Sequence, residues 1–97
     1  MENRAGSNPA MIIKIWEMVT TAAIEAIDHF DGNVIVWPVP NARLRYDFLF
    51  RQRGTTQWRY LNSNDRIEAF ASQIEATLSH DGEYCIVETR TGEIAKS

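Results

Sequence analysis

Ile12, Ile15, Trp16, Val19, Ala23, Ala26, Ile27 and Phe30 recur at three- and four-residue spacing, while Lys14, Glu17, Thr21, Glu25 and Asp28 fall on the opposite stripe. That is the pattern of an amphipathic helix. Asn8 is a capping residue, Pro9 suits the first helical position and Asp31-Gly32 supplies a stop, so the helix is expected at about 9–31. Met11, Ile13, Met18 and Ile24 spill beyond the strict stripe. An arc this wide points to a second packing surface on the helix, such as a two-fold dimer partner.

The β-branched run Asn33 to Val39 meets Pro38 and Pro40 and reads as a short edge strand, because proline cannot donate to a ladder. Leu44, Tyr46, Phe48 and Phe50 then alternate with Arg43, Arg45, Asp47 and Arg51, the period-two pattern of a half-buried strand. Thr56, Trp58 and Tyr60 continue it. A three-residue loop Gln52-Arg53-Gly54, with Gly54 left-handed, would set Arg51 opposite Thr55. The register that follows pairs Phe48 with Trp58 and Tyr46 with Tyr60 on one face, and Asp47 with Arg59 on the other.

Asn62-Ser63-Asn64-Asp65 is rich in capping residues and precedes the stripe Ile67, Phe70, Ala71, Ile74 and Leu78, a second helix closed by Asp81-Gly82. Glu83 to Arg90 is the last strand, apolar on both parities at Tyr84-Cys85-Ile86-Val87, which places it away from a free edge. The order is α-β-β-β-α-β. Two helices with one apolar stripe each, and a hairpin with one aromatic face, predict an α+β two-layer sandwich: both helices on one face of a mainly antiparallel sheet of about four strands. The domain is expected at 9–90, between a flexible N-terminus at 1–8 and a frayed C-terminus at 91–97. Ile24-Glu25-Ala26 with Asp31-Gly32 recurs 50 residues later as Ile74-Glu75-Ala76 with Asp81-Gly82. One reading is a duplicated αβ unit, and the other is a common local solution to a short connection.

Composition narrows the classes. At 97 residues and 44% hydrophobic the chain suits one domain with one core. No apolar run is long enough for a membrane span, the first residues do not follow a signal-peptide plan, and Cys85 is the one cysteine, so the expected compartment is the cytoplasm. Charge changes the picture more. Residues 1–42, 43–66 and 67–97 carry net −3, +4 and −4, and all six basic groups of the middle segment are arginine. In the expected register Arg43, Arg45, Arg51 and Arg59 project from an open sheet face, where guanidinium forks suit carboxylate or phosphate. The plainer role for them is solvation of that face. Trp37, stiffened by Pro38 and Pro40, is a candidate anchor for a partner and equally a cover for the core edge.

Enzyme signatures are thin. His29 and His80 sit beside aspartates near expected helix ends, where terminal-turn packing explains them, and Cys85 lies in an apolar strand as a small hydrophobe. No catalytic residue, metal ligand or cofactor motif is assigned. The leading expectation is a small non-enzymatic protein-interaction module with a protein partner, acidic in character, and a homodimer. Its length is that of small accessory or inhibitor proteins of phages and mobile elements, an analogy of size class alone. A nucleic-acid-binding accessory protein using the Arg face is the alternative, disfavoured by a sequence pI of 5.3. A small-ligand-binding protein or enzyme with His29 or His80 in a groove ranks third.

Overall fold

The computed structural model describes residues 9–25, 29–36 and 42–97. Helix α1 spans Pro9–Ala22 and is followed by strands β1 (Ile24–Glu25), β2 (His29–Asp31), β3 (Val34–Val36), β4 (Tyr46–Gln52) and β5 (Arg59–Asn64). A 3-10 turn at Ile67–Phe70 leads into helix α2 (Ala71–Ser79), and strands β6 (Gly82–Glu88) and β7 (Ile94–Lys96) complete the chain. Five strands form one antiparallel sheet in the order β1-β5-β4-β6-β7, and β2-β3 is a separate hairpin. The two helices lie on the sheet, so the fold is α+β; the main sheet has one strand more than the pattern predicts, and the edge strand expected at 33–39 pairs through Val34–Val36 in the separate hairpin instead. Strand β6 is flanked by β4 and β7, as its two apolar parities require.

The sheet is apolar on both faces. On the helical side Phe48, Phe50, Phe70 and Ile86 are buried together, with Ile15, Trp16, Ile67 and Ile74 of the helical layer packed against them. On the other side Leu49, Cys85 and Val87 are buried with Trp58 and with Ile35 of β3, and Tyr60 and Ile94 close the margins. The open basic face is therefore corrected: the hairpin β2-β3 and the loop carrying Trp58 cover it. Hydrogen bonds from Ile35 N–H to the Gly92 carbonyl and from Ile94 N–H to the Asn33 carbonyl, both 2.8 Å, tie the hairpin to the turn between β6 and β7. The C-terminal residues expected to fray instead form β7 and make this junction.

Several local readings change for physical reasons. Helix α1 stops at Ala22 rather than near residue 31, since Ile24 and Glu25 pair with Tyr60 and Arg59. Asp31-Gly32, read as a helix stop, is the turn of a hairpin in which Asp31 faces Val34 across Gly32-Asn33. The 50-residue echo is not structural, because Ile24-Glu25 is strand and Ile74-Glu75 is helix.

The β4-β5 register also differs. Gly54 does adopt a left-handed φ of 90°, and Thr55 N–H meets the Gln52 carbonyl at 3.0 Å. Thr55, Thr56 and Gln57 then stay exposed instead of pairing, and the ladder resumes with Phe50 opposite Arg59 and Leu49 opposite Tyr60. A bulge at Leu61 resets it to Phe48 opposite Asn62 and Asp47 opposite Ser63. Trp58 is thus not the partner of Phe48. It turns to the far face, where Leu49 and Cys85 need cover.

Candidate functional site

The arginines expected to share one face are distributed. Arg59 lies across from Phe50 and its Nη2 is 3.5 Å from Glu25, whereas Arg51 follows Phe50 in β4 and points to the opposite side. There its guanidinium stacks over the Trp58 ring at 4.3 Å and donates from Nε to Glu83 at 2.8 Å. Arg53 donates to Asp81 at 2.8 Å, and Arg45 reaches Glu88 at 3.3 Å while lying over the Tyr46 ring. The acidic residues of the C-terminal third are thus brought against the basic middle segment. That alternation of charge along the chain resolves into ion pairs between neighbouring strands. Trp37, with Pro38, Pro40 and residues 1–8, lies outside the described residues.

Three concavities among the described residues carry arginine in their lining. The first, of about 460 Å³, is lined by Glu25, Arg59 and the polar loop from Gln52 to Gln57. The third, of about 290 Å³, gathers Arg43, Arg45 and Arg90 with Asp65 and Glu88. Asp65 accepts from the Arg45 backbone N–H at 2.8 Å, and Thr89 Oγ1 donates to the Leu44 carbonyl at 2.7 Å, so the segment carrying Arg43 and Arg45 is held in place.

The second, of about 490 Å³, is lined by Trp58, Tyr84, Cys85, Ile94 and Leu78, with Arg51, Arg53 and Glu83 among its polar residues. It opens where β7 ends. Strand β7 pairs only with Ile86 and Val87, leaving Gly82 to Cys85 without a strand on that side among the described residues. Sequence reasoning missed this cleft, because it placed Trp58 beneath the helices.

One buried polar cluster stands apart from all three. Asp47 has no exposed surface and accepts a hydrogen bond from Ser63 Oγ. The single Ser63 hydroxyl proton is used there, so Tyr60 is the donor in its 2.8 Å contact with Ser63. Burial pushes the Asp47 carboxyl up from 3.8 to about 6, with the Ser63 bond opposing the rise. Its Oδ2 has no partner among the described residues. None of the three concavities is lined by Asp47, Ser63 or Tyr60. His80 is also occupied: its Nδ1 lies 3.1 Å from the Ala76 carbonyl and its ring stacks on Trp16. His29 enters β2 by its backbone, and its side chain lies outside the described part of the chain.

Among the described side chains of α1, those turned to solvent are Ala10, Met11, Ile13, Lys14, Glu17 and Met18. Met11, Ile13 and Met18 are 52%, 51% and 63% exposed. No described helix is long and apolar enough to cross a membrane. The chain matches no protein-family model, no curated protein and no solved structure.

Proposed function

We propose that the protein is a small interaction domain that works by protein contact and pairs with a second copy of itself through the outer face of α1. The observation that carries this reading is the exposure of Met11, Ile13 and Met18 within one helix whose inner side already packs on the core through Ile15 and Trp16. Single exposed apolar residues are ordinary, but here Met11 and Met18 stand on one flank of the outer face and Ile13 on the other, with Lys14 and Glu17 between them, so a facing helix would cover all three. The polar residues between them are self-complementary. Lys14 and Glu17 are one turn apart, so two α1 helices packed antiparallel about a two-fold axis set Lys14 of each against Glu17 of the other. Sedimentation of the full chain tests the reading. It predicts a dimer at tens of micromolar, and a monomer with an unchanged circular-dichroism spectrum for Met18→Glu. A wild-type chain that stays at 11.1 kDa into the high micromolar range overturns it.

A second reading rests on the cleft of Arg43, Arg45 and Arg90. Three guanidiniums against the carboxylates of Asp65 and Glu88 leave a positive excess, which suits an acidic protein segment. Salt-sensitive retention on a polyglutamate resin, weakened by Arg43→Gln with Arg90→Gln, is the expected result. Retention unchanged by that double substitution removes the reading.

A further inference from the structure

The cleft of Trp58 and Ile94 draws its lining from both faces of the sheet. Trp58 and Cys85 pack in the core on the side of the β2-β3 hairpin, while Tyr84 packs on the helical side, where its ring stacks on Phe48 at 5.8 Å. Gly82, Glu83, Tyr84 and Cys85, consecutive in β6, all line it. Successive side chains of a strand point to opposite faces, so a hollow that touches all of them lies against the strand's edge. Leu78, 57% exposed, borders it from α2, and Ile94 and Ser97 border it from the end of the chain.

The backbone at this edge is open among the described residues. Glu88 N–H donates to the Glu93 carbonyl at 2.8 Å, so Glu88 turns its backbone groups away from β4 and toward β7. The β4-β6 register runs without a shift from Glu88 to Gly82, so Tyr84 presents its N–H and carbonyl on that same side, and Glu83 and Cys85 present theirs to β4. Strand β7 ends with Lys96 opposite Ile86, and the ladder stops short of Tyr84. An unpaired stretch of this kind is a template for another strand. Charge asks little of the occupant, because Arg51 is bonded to Glu83 and Arg53 to Asp81.

We propose that an uncharged, extended peptide segment of another protein adds to β6 at this edge, continuing the line of β7. Tyr84 supplies a backbone donor and acceptor to the new ladder. Alternate side chains of the segment, small and apolar, fall toward Tyr84 and Leu78 on one face and toward Trp58 and Ile94 on the other. A second copy of the chain fits less well. Pairing two such edges about a two-fold axis, with Gly82 of each against Tyr84 of the other, would set Glu83 directly against Glu83 of the other copy, and like charges so placed repel.

Titration of the nitrogen-15-labelled full chain with an acetylated, amidated hexapeptide of alternating valine and threonine tests the proposal, read by amide shifts and hydrogen exchange. The amides of Gly82, Tyr84, Ile94 and Ser97 should shift together and saturate at low-millimolar peptide. At saturation the Tyr84 amide should gain at least about tenfold protection, while Glu83 and Cys85, already bonded to β4, change far less. The same peptide N-methylated at every residue keeps its side chains but offers no N–H, and it should bind at least about tenfold more weakly. Absence of a saturable shift, shifts centred on α1, unchanged exchange at Tyr84, or equal affinity of the methylated peptide would each overturn it. So would protection of Tyr84 that grows with protein concentration in the absence of peptide, the mark of a second copy at this edge.

Discussion

The indole of Trp16 lies flat against the imidazole of His80, ring centroids 4.8 Å apart and planes 2° from parallel. The same indole meets Phe50 edge-on at 5.8 Å, so one side chain of α1 joins the end of α2 to the central strand. Trp16→Ala should cost about 3 kcal/mol, at the lower end for tryptophan truncation because the ring is only partly buried. His80→Ala, which removes the stack and the Nδ1 contact with the Ala76 carbonyl, should cost about 1 kcal/mol. Urea melts of the two variants check both, and equal losses would show that the indole does not hold α1 independently of His80.

Asp47 gives the protein a pH dependence opposite in sign to that of a salt-bridged carboxylate. Its folded-state value of about 6 lies above the ordinary 3.8, so the native chain holds this proton more tightly than the unfolded one. The contribution is fully present below the unfolded value and is lost as pH rises through the window from about 4 to about 6. Across that window it amounts to about 3 kcal/mol. The stability difference between Asp47→Asn and the wild type should move in favour of the amide by that order between pH 3.5 and pH 7. A difference that does not vary with pH would contradict the assignment.

Charge reversal separates a designed contact on α1 from mere stickiness. In the proposed dimer, Lys14→Glu should loosen the pairing, because it would set glutamate against Glu17 of the other copy, and Glu17→Lys added to it should restore the mass. Both variants should melt like the wild type to within about 0.5 kcal/mol, since these positions are exposed.

The two arginines that the sequence treats alike should behave differently. Arg45 is 61% exposed, and Arg45→Gln should change stability by less than about 0.5 kcal/mol. Arg51 is half-buried, bonded to Glu83 and stacked on Trp58, so Arg51→Gln should cost about 1–2 kcal/mol. Denaturant midpoints measured side by side decide it.

Much of the architecture is legible in the chain because binary pattern and turn chemistry agree there. Phe48 and Phe50 share one strand parity with Tyr46 and do face the helices, and the stripe from Ile67 to Ile74 does lie on them. What misleads is the assumption of a single core. Leu49, Cys85 and Val87 share a face with Asp47 and Arg51, and that face reads as polar only while the arginines are counted and the apolar residues between them are not. Once it needs cover, Trp58 leaves the predicted register and Phe30 to Val36 becomes a hairpin. The Asp-Gly step between Phe30 and Val34 was the available signal for it. The cleft at Trp58 could not be read at all, since it depends on where β7 stops.

Gly92 and Gly54 both have left-handed backbone, at φ 78° and 90°, but their surroundings differ. A Cβ at Gly54 would meet nothing within 4 Å, whereas one at Gly92 would stand 2.8 Å from the Ile35 carbonyl oxygen. Gly54→Ala should therefore cost about 1 kcal/mol from conformation alone, and Gly92→Ala clearly more, because backbone must move. Thermal melts that rank them in the reverse order would refute this.

That junction also bears on the order in which the chain matures. Ile35 enters the second core early in the sequence, yet the carbonyl that receives its N–H belongs to Gly92, and the neighbouring bond comes from Ile94. A chain emerging from the ribosome can form the β2-β3 turn at once, but it cannot dock that hairpin until the residues up to Ile94 have been made. Contacts so far apart in sequence carry a loop-closure penalty and form slowly. Until they do, Leu49, Cys85 and Val87 lack the cover of Ile35, and the nascent sheet presents an apolar face to its surroundings. Closure of this layer is therefore expected to be the slow phase of refolding, and the interval in which the protein is most prone to aggregate.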